Sequence, residues 1–355
     1  MSELIEQLSE DAINLLQQLI RTQSFSREEA GTADILEGFL GQHGIPAQRQ
    51  GNNVWAVSQQ FHPQKPTILL NSHHDTVKPG AGWSYPPLGA VLEGDKLTGL
   101  GSNDAGASAV SLLATFRYFY DRPTAFNLIC AITAEEEVSG VNGIKSILPA
   151  LGKIDLGIVG EPTGMNAAIA EKGLLVLDGL ARGRTGHAAR NEGENALYKA
   201  LDDITWLRSY QFPEVSPLLG PVKLTVTQIS AGTQHNVVPD ECRYVVDIRT
   251  NECYTNEEIL ATVQANVQAE ITPRSTHLQS SGLSLEHSIV RKAVAMGKST
   301  YGSPTLSDQA LMRFDTLKMG PGDSARSHAP DEYILLSEIR GGVADYIELL
   351  NDFKF

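Results

Sequence analysis

The chain has 355 residues, 41% of them hydrophobic and 20% charged, which supplies a sizeable core for one large or two medium domains and argues against disorder. A formal net charge of -14 at pH 7 argues against nucleic acid or an anionic membrane surface as the main partner, and leaves a surplus of carboxylates that suits cations. The three cysteines, Cys130, Cys242 and Cys253, are odd in number and unclustered, so free thiols are expected in place of a disulfide framework or a thiolate zinc site.

The first residues, Met1 to Glu6, are acidic where a secretory signal needs a basic region. No run approaches the roughly 18 apolar residues of a membrane span, so a soluble cytoplasmic protein is expected. Apolar spacing at Leu4, Ile5, Leu8, Ala12, Leu15, Leu16 and Leu19 predicts a helix with one buried stripe. A second helix is expected over 32–43, closed by Gly44, with strand-like pieces over 45–57. Ile68 to Leu70 reads as a buried strand that ends at Ser72-His73-His74-Asp75-Thr76-Val77. A loop rich in Gly and Pro then leads to Asp104, and small apolar residues over 107–120 predict a helix ended before Pro123. Residues 126–133 form a second apolar strand running into Glu135-Glu136-Glu137, and, after a helix near 143–148, residues 154–159 form a third, ending at Glu161-Pro162. Strands alternating with helices imply a doubly wound α/β layer, where functional groups gather outside the carboxyl ends of strands.

The texture changes near Leu174. Strands are expected over 174–181, 222–229 and 243–249, with helices over 195–209 and 256–271, after which the chain leaves through Thr272-Pro273-Arg274. That order suits a small α+β, ferredoxin-like domain. A final helix is expected over 336–350. The resulting plan is a larger domain made of 1–172 and 283–355, interrupted by an inserted domain over 173–282.

In an extended segment His73 and Asp75 share a face while His74 points away, so His73 can offer one ring nitrogen to a metal while Asp75 fixes the ring from its other side. A His satisfied by a local hydrogen bond is the alternative. Glu135 to Glu137 reads either as a solvated acidic patch or, at a strand's carboxyl end, as a metal ligand beside a free proton acceptor. Asp104 alone reads as a helix N-cap, Glu161 as a turn carboxylate and His328 as a solvated loop histidine. Taken together, five such groups at or near strand ends fit one dinuclear site better than five coincidences.

The order His73-x-Asp75, Asp104, Glu136-Glu137, Glu161 and a late His328 resembles the M20 family of metallopeptidases over nearly the whole chain. The resemblance implies two zinc or cobalt ions per subunit, with Asp104 bridging, His73 and Glu161 on one metal, and Glu137 and His328 on the other. It implies Glu136 as general base, Asp75 orienting His73, and a cis Asp104-Ala105 peptide. The inserted domain is then a lid and dimerisation domain: His187 in Gly186-His187-Ala188 serves the partner subunit's site, and Asn236 and Arg249 hold a substrate carboxylate. Read without the family, His187 is a turn histidine and Arg249 belongs to a structural ion pair. Asp104-Ala105-Gly106-Ala107-Ser108 departs from the family's common Asp-Met-Lys-Gly-Gly. Thr133 to Glu137, and Gly320-Pro321-Gly322 before His328-Ala329-Pro330-Asp331-Glu332, are similar to the acetylornithine and acetyl-lysine deacetylase branch. The function so implied is removal of an acyl group from a small N-acyl basic amino acid by a homodimer, N-acetylornithine in arginine synthesis first. N-succinylornithine, N-acetylcitrulline, N-acetyl-lysine, a dipeptide substrate and a non-catalytic dimeric binding protein are the alternatives. An additional substrate carboxylate is expected to meet a single arginine such as Arg326 or Arg182.

Overall fold

The computed structural model describes residues 2–190 and 192–355; Met1, the first residue of the acidic N-terminal stretch, and Asn191 lie outside it. The described chain forms two compact units. The first comprises residues up to Ile169, Leu283–Tyr301 and Ser307–Phe355, and the second Ala170–Gly282 with Gly302–Leu306.

The first unit is organised on the strand Thr67–His73, every residue of which is buried. It lies between Asn127–Thr133 and Leu156–Val159, parallel to both, and Leu156–Val159 is continued by the parallel strand Thr316–Lys318. Asn53–Val57 adds antiparallel on the outer side of Asn127–Thr133. Because the chain runs from Thr67–His73 to the strand on one side and then crosses to the strand on the other, the order reverses here, and the crevice at its carboxyl end is where doubly wound sheets place ligands.

Both faces of that strand are covered, which is why its sequence is nearly continuous in apolar residues. Ile68 and Leu70 pack into a core shared with the helices Glu3–Ile20, Ala107–Phe119 and Leu336–Leu350. Leu69 faces the opposite cluster of Ile129, Ile144, Ile147 and Val159, which the helix Ile144–Leu151 covers. Among the described residues no helix is long and apolar enough to cross a membrane.

The second unit has an antiparallel sheet in the order Lys223–Ala231, Glu241–Thr250, Gly173–Arg182, Glu270–Pro273. With the helices Ala196–Ser209 and Asn256–Asn266 this is the β-α-β-β-α-β order of a ferredoxin-like domain. Burial alternates along the central strands: Leu175, Leu177, Val246 and Ile248 face the helices, while the intervening residues lie on a half-exposed face.

One segment differs from the sequence expectation. The helix expected over 256–271 stops at Asn266, where Val267 turns to extended backbone, and Glu270–Pro273 becomes an edge strand along Gly173–Arg182. Val263, Val267 and Ile271 keep a helical four-residue spacing, so the pattern alone favours the longer helix; pairing that satisfies the open edge of a central strand outweighs it. Pro273 ends this strand at the sheet edge, where a missing N–H is tolerated.

Candidate metal centre

Strand register assembles the site. His73 is the Cα partner of Thr133, so the residues after Thr133 lie beside Asp75; Asn71 is the partner of Val159, so Glu161 comes up on the other side. Gly320 closes this end by approaching so near that a Cβ there would lie 2.5 Å from the Glu161 carbonyl oxygen.

His73 is 1% exposed. Its Nδ1 donates to the Asp75 backbone carbonyl at 3.0 Å and lies 3.4 Å from Asp75 Oδ1, which leaves Nε2 facing the crevice. Nε2 stands 3.3 Å from Asp104 Oδ1, 3.8 Å from Glu136 Oε2 and 3.8 Å from Glu161 Oε1, yet it is buried without a hydrogen-bond partner. Burial opposes a charge on this ring, but Glu136, Asp104, Asp75 and Glu161 outweigh it and raise its pKa well above the usual histidine value.

Asp104 sits at a break in the backbone before the helix Ala107–Phe119, and the Asp104–Ala105 peptide is cis. Its other oxygen, Oδ2, is 3.6 Å from His328 Nε2, and His328 Nε2 is 2.9 Å from Glu137 Oε2. The hydrogen bond to Glu137 is the main reason the His328 pKa rises to about 9. Burial pushes the Glu136 carboxyl well above its usual range, the neighbouring charges of Glu161, Asp308 and Glu137 push it further, and His73 opposes them.

Two sets, His73 with Glu136 and Glu161, and His73 with Asp104 and Glu137, bring their ligand atoms within 4.8 Å of one another. An orphaned buried imidazole nitrogen ringed by carboxylates is a costly arrangement without a cation, and a mixed nitrogen and oxygen donor set fits a divalent ion such as zinc. The residues present therefore fit a metal centre.

The remaining site candidates lie in the second unit. The strand Gly186–His187 pairs with Val237–Val238, and Ala188 N–H donates to the Asn236 carbonyl at 3.0 Å, so His187 and Asn236 are brought together, both exposed. His187 Nδ1 accepts the Ala189 N–H at 3.1 Å. Arg249 stands on the half-exposed face of the sheet, paired with Asp247 through Nε at 2.9 Å and Nη2 at 3.2 Å. Arg326 and Arg182, expected to meet an additional carboxylate, are already engaged. Arg326 Nη1 is 2.7 Å from Glu338 Oε2 and its guanidinium lies over the Tyr333 ring, while Arg182 is held by Glu270 and Glu241.

Several residues at the site escape a reading by sequence pattern. Glu332, 2% exposed, accepts the N–H groups of Gly101, Asn103 and Asp104 at 3.1, 2.9 and 2.9 Å, fixing the turn that presents Asp104. Its closeness in sequence to His328 is the only signal that marks it. Ser26 Oγ donates to Asp75 Oδ2 at 2.7 Å, and Glu29 accepts the Glu135 N–H at 3.3 Å; neither belongs to a motif. Glu135 is turned away from the crevice, accepting from Asn142 Nδ2 at 2.9 Å. His74 is turned away too, toward Thr32 Oγ1 and the Asn52 carbonyl.

Comparison with known proteins agrees with this geometry at the level of family. The chain is 30% identical over 280 residues to a succinyl-diaminopimelate desuccinylase of Dinoroseobacter shibae, covering 74% of this chain and 73% of that one. It is 28% identical over 291 residues to the protein of the same name from Gluconobacter oxydans, covering 74% and 76%. These relatives carry desuccinylase names, where the sequence motifs lead to an expectation of the acetylornithine deacetylase branch. Among solved structures, aminopeptidase PepT of Bacillus cereus superposes with a TM-score of 0.76 at 18% identity, covering 97% and 98% of the two chains. A dinuclear metal binding peptidase of the M20 family from Bacillus subtilis superposes at 0.74 and 14% identity, covering 98% and 100%. The model of peptidase family M20/M25/M40 matches residues 69–352, a span that holds His73, Asp104, Glu136, Glu137, Glu161 and His328, and the chain is a member of that family.

Proposed function

We propose that this chain is a dinuclear metal amidohydrolase that cleaves the acyl group from the α-nitrogen of an amino acid. The observation that carries the reading is His73 Nε2, buried and unpartnered, facing Asp104, Glu136 and Glu161. Asp104 directs its two oxygens at different imidazoles, which supports its role as the bridge; His73 and Glu161 would hold one ion, Glu137 and His328 the other. Two zinc or cobalt ions, when bound, polarise an amide carbonyl and acidify water. Glu136, with its carboxyl pushed up by burial, takes a proton at an Oε and passes it to the amine nitrogen that leaves. Asp75 holds the His73 ring and the backbone of both glutamates. Asn236 and Arg249 receive the substrate carboxylate, and His187 contributes an oxyanion donor to the partner's site in a homodimer.

Two acyl groups compete. The relatives' names support succinyl, and with it a diaminopimelate-type amine; the motifs 133–137 and 320–332 support acetyl on ornithine. Hydrolysis of acetyl and succinyl derivatives of ornithine, citrulline, lysine and diaminopimelate, by metal-loaded and chelator-treated protein, separates them. No turnover of any of these by the loaded protein would remove the reading.

A further inference from the structure

Four consecutive N–H groups follow the strand Asn127–Thr133, and side-chain oxygens take all of them. Ala134 N–H donates to Asn53 Oδ1 at 3.0 Å, Glu135 N–H to Glu29 Oε1 at 3.3 Å, and the Glu136 and Glu137 N–H groups to the two oxygens of Asp75. Asn53, Glu29 and Asp75 are each 0% exposed. Buried N–H groups have to be satisfied, and here side chains from separate segments do what a neighbouring strand does elsewhere in the sheet.

Glu135 is the unusual member of this run. Its φ of 58° lies in the left-handed region, which is unfavourable for a residue with a Cβ, and this bend carries the chain from the strand into the short helix Glu136–Val138. Its carboxylate accepts from the Asn142 N–H and Nδ2, and its carbonyl accepts the Gly140 N–H at 2.8 Å, so the far side of the bend is tied to its own loop. The near side is tied by Glu29.

Glu29 is itself fixed before it reaches Glu135. Its carbonyl accepts the Ala33 N–H at 3.0 Å and Thr32 Oγ1 at 2.9 Å at the start of the helix Ala30–Gln42, and its Oε2 accepts Asn52 Nδ2 at 2.8 Å. Among the described residues no ion pair joins Glu29 to a cation. A buried carboxylate without a cation is unfavourable unless hydrogen-bond donors offset the lost hydration, and one of its donors is the Glu135 N–H. Glu136 comes next in the chain, with Oε2 3.8 Å from His73 Nε2. Relaxation of Glu135 toward ordinary backbone angles would rotate the peptide that leads into Glu136, and a displacement of about 1 Å at a reacting group costs on the order of 10²-fold in rate.

We propose that Glu29 is a positioning residue for Glu136: by holding the Glu135 N–H it keeps Glu135 left-handed and so aims the Glu136 carboxylate into the crevice. Its effect on turnover rests on the hydrolase reading, whereas its hold on the loop does not.

The test uses metal-loaded Glu29→Ala, Glu29→Gln, which keeps an accepting oxygen for the Glu135 N–H, and Glu29→Ala in a Glu136→Gln background. Amide hydrogen exchange read by mass spectrometry needs no substrate: the Ala variant exchanges faster by about tenfold or more over 134–138, and the Gln variant stays near wild type. Unchanged exchange there overturns the proposal. With N-acetyl-L-ornithine or N-succinyl-diaminopimelate, whichever wild type hydrolyses faster, the Ala variant loses about 10- to 100-fold in kcat with KM and bound metal unchanged, and the Gln variant recovers most of that loss. In the Glu136→Gln background the Ala substitution removes little more, because the acid it aims is already absent. Losses that multiply would make Glu29 a general support of the fold and overturn the proposal. If Glu29→Ala lacks a melting transition, Glu29→Asp, which keeps the charge and withdraws the oxygens by one methylene, carries both comparisons. If wild type hydrolyses neither compound the hydrolase reading fails, and exchange over 134–138 still decides whether Glu29 holds the loop.

Discussion

Asp75 holds Glu136 by its main chain: Oδ1 accepts the Glu136 N–H at 3.0 Å, while Oδ2 accepts the next N–H, that of Glu137, at 3.2 Å. The same carboxylate approaches His73 Nδ1 at 3.4 Å, so one fully buried side chain ties together groups from two adjacent strand ends. Asp75→Asn keeps one accepting oxygen and turns an amide toward the second N–H. Metal affinity and kcat should each fall roughly 10- to 100-fold, as for other groups that orient metal ligands. Metal titration monitored by mass spectrometry, alongside steady-state rates, checks this; wild-type values for both would remove Asp75 from the site's support.

Glu136 and Glu137 are neighbours to which the proposed function gives separate duties. Glu136→Gln should leave bound metal intact and lower kcat by at least about 10²-fold, the usual cost of removing a general base. Glu137→Gln should instead lower metal content, because Glu137 is the acid that reaches His328. Metal analysis of the two purified variants decides; the opposite pattern of metal loss would exchange the roles.

Glu332 is the clearest case of a residue that acts through another. Removing it as Glu332→Ala strands three backbone N–H groups, at a cost of about 1–3 kcal/mol for each buried donor left unsatisfied. Glu332→Gln retains an accepting oxygen and should fold, with metal affinity weakened about tenfold through Asp104. Melting curves and metal titration of the two variants read these effects separately. An Ala variant as stable as wild type, with normal metal affinity, contradicts the role.

His74 predicts a pH dependence of stability. Burial lowers its pKa to about 4, while its ring serves Thr32 Oγ1 and the Asn52 carbonyl in the neutral form. The unfolded chain binds this proton near the ordinary value of about 6.5, so between those values the unfolded state holds more protons and stability falls as pH falls. The term is fully favourable above about pH 6.5 and amounts to about 3 kcal/mol lost by about pH 4. Urea unfolding of chelator-treated wild type and His74→Gln at both ends of that window isolates it. Equal slopes in the two proteins would show that His74 does not titrate there.

What the sequence alone determined is what depends on local pattern. The two-sided apolar strand around Leu69, the helix 336–350 and the strand-end positions of His73, Glu136 and Glu161 follow from periodicity and from turn residues, which are properties of neighbours along the chain. The grouping of His73 with Asp104, Glu136, Glu137, Glu161 and His328 was legible as chemistry, because few residue types bind divalent metals and they stood at strand ends or in loops. Their distances were decided by the tertiary structure: the register that sets His73 opposite Thr133 is a pairing across 60 residues, which no local pattern contains. For the same reason Glu332 and Ser26 could not be read in advance. A buried carboxylate that accepts three N–H groups from a turn far away in sequence has no signature of its own, and becomes visible only when the strand Tyr333–Leu335 pairs with Lys96–Thr98 and carries it there. The end of the helix at Asn266 was settled likewise, by an open sheet edge whose hydrogen bonds outweigh a four-residue apolar repeat, since whether an edge has a partner is a fact about space and not about sequence.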